Sequence, residues 1–316
     1  MNRTTLVCLS FLWLVFAPNE ALSKQLSFQK KQTEEATIFK YRWFDGERHF
    51  AINFALNNFS LQQLPDSPIR YNNQLLQQEI VAAIRRYAVE VSADGVQVVI
   101  SRLGLTTEYQ VRAPNDKVAK ATLAHIENLQ EKVKREYYKE NYFLNYTSPQ
   151  GETGIQHDFE RYVEDSKNAL MPIVDAIKAI QQNTKDYREF ISIALSWVQS
   201  IPYNDLRSRI SSNGSGFASP KDLILQNRGD CDSKSTLFAA LLQAYNEQIK
   251  VSMVLLPNHA LLAIGLRALP NEKTVKHEGV PYVLIEPTGP AYFKIGEADE
   301  DSLLAIRNRQ YSLAPL

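Results

Sequence analysis

The sequence lacks several features that would assign the chain to a class at once. Its 35 basic and 35 acidic residues cancel over 316 positions, so there is no basic excess of the kind that marks nucleic-acid-binding domains. Beyond residue 23 no apolar run approaches the roughly 20 residues that a membrane-spanning helix needs. Cysteine is scarce, with only Cys8 and Cys231 present. The 44% of apolar residues is nevertheless enough for one large or two modest globular domains.

The first 23 residues have the three parts of a secretory signal peptide. Arg3 provides the positive start, residues 6–17 are apolar, and Ala21-Leu22-Ser23 is a small-x-small cleavage site. The apolar part is short for a membrane span, and an uncleaved anchor is the alternative. We predict export to the periplasm or the exterior of a mature chain that begins near Lys24 and has no transmembrane span.

Cleavage of this signal would remove Cys8 and leave Cys231 as the one cysteine of the mature chain. A single cysteine cannot form an internal disulfide, and an unpaired thiol is a liability in an oxidising compartment. These two facts favour a reactive role for Cys231. The alternative is that it serves as a small buried apolar residue, as most free cysteines do.

The residues around Cys231 predict a cysteine in the first turn of a helix. Apolar residues recur after it at helical spacing, at Leu237, Phe238, Leu241, Leu242 and Tyr245. Asp230 is suited to cap this helix, and the helix dipole favours an anion in the first turn. The thiol is therefore expected to lose its proton more readily than a free cysteine. Gly229 is expected to leave room for a substrate at the sulfur.

Two polar residues at the ends of later apolar strands are candidates to complete a catalytic site. His259 begins a predicted strand at residues 259–266, and Glu286 ends one at residues 282–286. A cysteine nucleophile needs a base and a group that orients the base. Taken singly, each residue is equally well explained as a strand terminus. Together with Cys231 they form a candidate triad, and Tyr203 is a candidate substrate-binding residue that has simple packing as its alternative.

These motifs resemble the transglutaminase-like superfamily of cysteine enzymes, especially its bacterial branch. The resemblance covers residues 183–289, and it is carried by Gly229-Asp230-Cys231, Asn258-His259-Ala260 and Ile285-Glu286-Pro287-Thr288, with weaker likeness around Trp197 and Ser219. It implies a papain-like α+β core, in which the helix of Cys231 packs on an antiparallel sheet that carries His259 and the acid. The family usually has aspartate where this chain has Glu286.

The resemblance implies acyl transfer through a thioester on Cys231, without a cofactor or a metal. His259 would protonate the leaving amine, Glu286 would orient His259, and the backbone N–H of Cys231 would stabilise the oxyanion. We expect a peptidase or amidase, because water is always present to resolve the thioester. The alternatives are a protein-crosslinking transglutaminase and an envelope binding or assembly module with an idle triad. The expected partner is a protein or peptide substrate, such as an envelope component, and not a nucleic acid.

The remaining patterns predict an α+β chain of two domains. A smaller α+β domain is expected at residues 24–150 and the catalytic domain at residues 151–316, because proline and glycine interrupt residues 145–155. Further expectations are a poorly ordered leader at 24–35, a hairpin at 37–43 and 48–56, a strand at 89–91, a mobile loop at 211–215, a loop at 268–279 and an acidic run at 297–301. The acidic run is interpreted as a solvated surface, with a calcium site as the alternative.

Overall fold

The structure is a computed structural model, and it describes residues 24–103, 106–147, 151, 153–208 and 215–316. The predicted signal peptide and most of the predicted loop at 211–215 lie outside these residues. The strands are β1 Lys24–Gln32, β2 Ala36–Phe44, β3 His49–Asn57, β4 Gln97–Leu103, β5 Thr106–Arg112, β6 Phe143–Thr147, β7 Thr153–His157, β8 Val251–Leu255, β9 Ala260–Ile264, β10 Thr274–His277, β11 Val280–Ile285 and β12 Ser312–Pro315. The helices are α1 Asn58–Gln63, α2 Asn73–Ser92, α3 Asp116–Glu140, α4 Phe159–Lys167, α5 Met171–Lys178, α6 Tyr187–Ser200, α7 Pro220–Gln226, α8 Cys231–Tyr245 and α9 Glu300–Arg307.

A five-stranded antiparallel sheet in the order β10-β11-β9-β8-β12 carries the C-terminal half of the chain. Side chains alternate between the two faces of each strand. One face shares a buried cluster with α8, through Met253, Leu262, Ile264, Val283 and Ile285. The other shares a cluster with α9, through Val254, Leu261, Ala263 and Leu284. Because both faces are covered, β9 is wholly apolar and buried. The chain is therefore α+β with antiparallel sheets, as the sequence predicts.

Helix α8 lies inside the protein. Its residues from Ser233 to Leu242 are all buried, and α4, α5, α6, α7 and β9 contact it. A helix packed on every side has little freedom to shift, because protein interiors are close-packed. The position of Cys231 at its first turn is fixed accordingly.

The first three strands belong to the same core as α8. They form an antiparallel sheet whose apolar face covers α6, where Tyr41 meets Trp197 edge to face at 5.3 Å between ring centroids. The indole N–H of Trp43 donates a hydrogen bond of 2.9 Å to Ser196 Oγ. One buried cluster thus contains residues from both sides of residue 150, because a sheet with one apolar face must cover it with another element.

The predicted poorly ordered leader at residues 24–35 is wrong. Strand β1 occupies most of it and pairs with β2 from Lys24 to Gln32. Its polar sequence reflects an edge strand, in which most side chains face solvent. Phe28 is half-buried and packs its ring against Tyr41 at 4.9 Å between ring centroids.

Residues 73–157 form a second buried cluster, inserted between the first sheet and α4. Helices α2 and α3 and the hairpins β4-β5 and β6-β7 share it, through Leu76, Ile80, Ile84, Ile126, Tyr137, Tyr138 and Phe143. The expected strand at residues 89–91 is wrong, since α2 continues to Ser92. The expected boundary at 145–155 falls within the hairpin β6-β7. We call residues 73–157 the inserted unit.

Two further expectations near the C-terminus change. The segment 268–279 contains the edge strand β10, which pairs with β11. The acidic run at 297–301 starts α9, where Asp299 accepts hydrogen bonds from Ser302 N at 2.9 Å and Ser302 Oγ at 2.5 Å. Carboxylates are favourable at a helix N-terminus, which explains the acidic residues there.

Within the part of the chain that the structure describes, no helix combines the length and apolar character needed to cross a membrane.

Candidate active site

Cys231 is the first residue of α8, and Asp230 caps the helix, as the sequence predicts. The Asp230 carboxylate accepts hydrogen bonds from Ser233 N at 3.0 Å and from the Ser233 hydroxyl. The Ser233 hydroxyl in turn accepts a bond of 2.7 Å from Ala218 N. The backbone N–H of Cys231 lies in the first turn, where an α-helix supplies no partner of its own. That N–H is suited to stabilise an oxyanion beside the sulfur.

The loop before Cys231 is held against the segment that contains Tyr203. Gly229 N donates to Pro202 O at 3.2 Å, and Asn204 N donates to Gly229 O at 3.1 Å. A Cβ on Gly229 would lie 2.7 Å from Leu223 Cδ1, so this glycine serves close packing and not substrate access, contrary to expectation. Tyr203 is 52% exposed and lines the cleft over Cys231.

The sheet brings His259 and Glu286 together. Strands β9 and β11 are antiparallel neighbours, with Leu262 opposite Ile285. The residue before β9 and the residue after β11 therefore lie at the same end of the sheet. His259 Nε2 lies 2.6 Å from Glu286 Oε2. Glu286 is only 1% exposed, and its other oxygen accepts a hydrogen bond of 3.0 Å from Thr288 N. The alternative of a solvent-exposed strand terminus for Glu286 is therefore wrong.

Cys231 and His259 line the same cleft, close enough for each side chain to shift the pKa of the other. Because Nε2 is engaged by Glu286, Nδ1 is the ring nitrogen available to exchange a proton with the sulfur. Burial by itself lowers the pKa of His259, but the hydrogen bonds to Cys231 and Glu286 and the charge of Glu286 raise that pKa to about 10. The three predicted triad residues thus lie together at one cleft, and the raised pKa of His259 favours a protonated ring at neutral pH.

The pKa of Cys231 changes in the direction opposite to the prediction. Burial raises it, the hydrogen bond to His259 lowers it, and the charge of Asp232 raises it again, with a net rise. The carboxylate of Asp232 lies 3.5 Å from the sulfur and accepts a bond from the S–H group. The expectation of an easily deprotonated thiol is wrong for the substrate-free protein, because it counted the helix dipole and overlooked burial and Asp232.

Two carboxyl groups of high pKa flank the thiol. Burial and the charge of Asp232 raise the pKa of Asp230 to about 7. Burial also raises the pKa of Asp232, against the opposing effects of Cys231 and His259. Protonation of either carboxyl group would remove a negative charge that opposes the thiolate. The protonation state of the thiol therefore depends on Cys231, His259, Asp230 and Asp232 together.

We expect the substitution Asp232→Asn to increase the reactivity of the thiol. It removes the neighbouring negative charge while keeping the size of the side chain, so the pKa of Cys231 should fall. At pH 7.5 the rate of alkylation of Cys231 by iodoacetamide should rise roughly tenfold, the equivalent of one pKa unit. Asp205→Asn, an exposed acid on the same cleft, is the matched control. A rate for Asp232→Asn equal to or below that of the wild type would contradict this account of the thiol.

Lys234 is a part of the site that the sequence analysis missed. It is 0% exposed, one turn beyond Cys231, and its Nζ donates to Ile201 O at 2.5 Å and reaches Thr288 O at 3.5 Å. It therefore joins the end of α6 to the turn that follows Glu286. Burial lowers the pKa of Lys234 to about 7, against the charges of Glu286 and Asp230, which raise it.

This buried lysine predicts a specific pH dependence of stability. The pKa of Lys234 is about 7 in the folded protein and 10.5 for the unperturbed side chain. Between these values the unfolded state binds more protons, so the contribution of Lys234 to the free energy of unfolding rises with pH. In urea titrations the wild type should gain more than about 1 kcal/mol relative to Lys234→Met from pH 7 to pH 10. Lys250→Met, at an exposed lysine, is the matched control for removal of a lysine. A pH-independent difference between wild type and Lys234→Met would refute the prediction.

The turn after Glu286 is fixed by a close contact with α6. Gln199 Nε2 donates to Glu286 O at 2.7 Å and to Phe293 O at 3.0 Å. Gly289 has a φ of +44°, and a Cβ there would overlap the carbonyl oxygen of Gln199. Only glycine fits this position, and the turn holds Glu286 in its direction toward His259.

One set of residues in the site has the composition of a metal-binding group. His259, Glu286 and Asp299 place one nitrogen and two carboxylate oxygens within 4.8 Å of one another. These side chains could together hold a divalent cation. In the structure their atoms already have partners, since Asp299 binds Ser302 and Glu286 binds Thr288 and His259. Burial raises the pKa of Asp299, but its hydrogen bonds from Ser302 and the charge of His259 lower it, with a net fall.

An open cleft of about 610 Å³ leads to Cys231 and His259. Its lining includes Tyr203, Cys231, Asp232 and His259, so the thiol and the imidazole are both accessible to a ligand. Comparison of the chain with protein-family models, with curated proteins and with solved structures found no match. The assignment of a function accordingly depends on the geometry of the site and on the motifs of the sequence.

Proposed function

We propose that this protein is an exported cysteine-dependent acyl-transfer enzyme of the transglutaminase-like type, and that it hydrolyses a peptide or amide bond. One observation carries the proposal: His259 lines the same cleft as a cysteine at a helix N-terminus and bonds to the buried Glu286. This is the set of groups that nucleophilic catalysis requires, namely a nucleophile, a base and a group that orients the base. The antiparallel sheet against α8 is compatible with a papain-like core.

The proposed reaction has two steps. The thiolate of Cys231 attacks the carbonyl carbon, and the resulting oxyanion accepts a hydrogen bond from the Cys231 N–H. His259 gives its proton to the leaving nitrogen, so the C–N bond breaks and a thioester remains. Water then attacks the thioester while His259 takes a proton from it. The C–S bond breaks, the acid product leaves, and the thiolate and imidazolium are restored.

The protonation state of the free site bears on the first step. With the pKa of His259 raised to about 10 and that of Cys231 raised above its usual range, thiol and imidazolium both hold protons at neutral pH. The attacking state has one proton fewer. We therefore expect turnover to increase as the pH rises above neutrality, and assays should extend to about pH 10.

A simple acyl donor tests the proposal. With p-nitrophenyl acetate the wild type should release p-nitrophenol in a burst, followed by slower turnover, and mass spectrometry should locate an acetyl group on Cys231. The Cys231→Ser protein should show neither. Addition of a labelled primary amine separates the outcomes, because a transglutaminase would form the labelled amide in place of acetate. Acetylation without any turnover would indicate an idle triad and would overturn the proposal.

A further inference from the structure

A second cavity opens beside the cleft over Cys231. Its volume is about 700 Å³. It shares with the cleft the side chains of Arg70 and Asp232 and the stretch at residues 255–257, so the two spaces are continuous. The rest of its lining is mostly aromatic and comes largely from the inserted unit and its flanks: Tyr71, Phe143, Tyr146, Ile155, His157 and Phe159.

The aromatic side chains that line this cavity pack against one another and are held to the five-stranded sheet. Tyr71 meets Phe143 edge to face at 5.6 Å, and His157 stacks on Phe143 at 5.6 Å. The hydroxyl groups of Tyr146 and Ser312 lie 3.1 Å apart, which joins β6 of the inserted unit to β12 of the sheet. Preformed cavities lined by apolar and aromatic side chains are suited to bind an apolar group.

The charges at this cavity do not favour a charged ligand. Arg70 and Asp232, of opposite sign, lie where the cavity meets the cleft. The deeper wall includes His157, whose burial lowers its pKa to about 4, so this ring is neutral at physiological pH. A charged side chain entering the cavity would lose water and find no opposite charge among the aromatic groups.

The cavity approaches the thiol through Asp232. Asp232 lines both spaces and directly follows Cys231, whereas Cys231 and His259 line only the cleft. In the proposed reaction the leaving amine must lie beside His259, because that residue protonates it. The acyl part of the substrate then extends away from His259, toward Asp232 and the second cavity.

We infer that this cavity binds an aromatic or large aliphatic side chain on the acyl side of the scissile bond of a peptide substrate. The inserted unit, together with the flanking Tyr71, thereby acts as a specificity element, and Tyr71 and Tyr146 are among the residues that bind the side chain. The inference rests on the proposed function, because it needs a substrate carbonyl at Cys231. It names the substrate class as peptides with an apolar residue next to the scissile carbonyl or one position before it.

Peptidyl acyloxymethyl ketones test this inference without a known substrate. The probes form two series, one varied at the residue next to the reactive ketone and the other at the residue before it, with Phe, Leu, Ala or Glu at the varied position. In at least one of these series the Phe and Leu probes should alkylate Cys231 at least tenfold faster than the Ala probe, and the Glu probe should be slower still. Tyr146→Ala and Tyr71→Ala should each reduce the Phe-to-Ala rate ratio at least fivefold, whereas Tyr87→Ala should keep it, since Tyr87 packs on His125 outside this cavity.

The controls separate failure of this inference from failure of the proposed function. Iodoacetamide, which has no side chain to bind, reports the thiol alone, and its rate normalises each variant. Equal rates for the Phe and Ala probes in both series, with alkylation still dependent on His259, would overturn the inference and leave the proposed function standing. Alkylation that does not depend on His259 would overturn the proposed function. The probe series on the wild type decides the question even if a variant does not fold.

Discussion

The His259→Gln protein is expected to lose nearly all turnover of an amide substrate, with kcat lower by a factor on the order of 10⁶. Glutamine can keep a hydrogen bond to Glu286 but cannot carry a proton between the thiol and the leaving nitrogen. The loss should appear in kcat and in kcat/KM alike, because the proton is transferred in the transition state. A continuous amidase assay, together with the melting temperature of each protein, measures it.

A second histidine provides the matched control for this substitution. His277 lies on the edge strand β10 and bonds through Nδ1 to Ser252 Oγ at 2.9 Å, away from Cys231. His277→Gln should keep turnover within about threefold of the wild type, by the usual size of effects away from a site. Retention of more than a tenth of the wild-type turnover by His259→Gln would show that another group serves as the base.

The Glu286→Gln protein is expected to have turnover reduced on the order of 10⁴-fold, or less where the thiolate–imidazolium pair forms without help. Glutamine keeps the shape but removes the charge, and its amide nitrogen can face the imidazole. Glu286→Asp should retain more activity than Glu286→Gln, because charge is kept and only reach is lost. Turnover and melting temperature of both variants should be measured.

The control for Glu286 is an acid outside the site. Glu300 begins α9 with its side chain exposed, and Glu300→Gln should leave turnover unchanged. Equal turnover of wild type, Glu286→Gln and Glu286→Asp would show that Glu286 is only a strand terminus. A large fall in the melting temperature of Glu286→Gln alone would instead indicate a mainly structural role for the buried carboxylate.

The residues that contact one another in the triad were accessible from the sequence because each has a local signal. Asp230 and Cys231 precede an apolar helical pattern, and His259 and Glu286 stand at the ends of apolar strands. Antiparallel pairing of β9 with β11 then brings the start of β9 and the end of β11 to the same end of the sheet. Strand order is a tertiary property, so the sequence supported this contact only through the resemblance and not through its periodicity.

Lys234 shows what local patterns could not reveal. A lysine in the first turns of a helix reads as exposed, yet α8 is surrounded by other elements and buries it completely. Its partners Ile201 and Thr288 are 33 and 54 positions away. The strand β1 was missed for a related reason, because an edge strand with a polar outer face has little apolar alternation.

The pKa of Cys231 was misjudged because a first-turn position is only one of several influences. A helix N-terminus and His259 favour the thiolate, but burial and Asp232 oppose them with a larger combined effect. The sequence shows Asp232 next to Cys231, but it does not show that the carboxylate turns toward the sulfur. The distance of 3.5 Å between the two groups decides this.

The inserted unit and its flanks supply most of the lining of the second cavity. Its hairpin β6-β7 pairs Phe143 with His157, and both residues line that cavity. In the proposed function these residues, distant in sequence from Cys231, would select the substrate, while Cys231, His259 and Glu286 would perform the chemistry. Specificity could then change in the inserted unit without disturbing the triad.

The measurement that tests the central claim most directly is the pH dependence of Cys231 alkylation by iodoacetamide in the wild type and in His259→Gln. The hydrogen bond and charge of His259 lower the pKa of the thiol, so the account predicts that His259→Gln shifts the midpoint of the profile to higher pH. At pH 8 the variant should react roughly tenfold more slowly, the equivalent of one pKa unit. Superimposable profiles for the two proteins would contradict the claim that Cys231 and His259 form one catalytic unit.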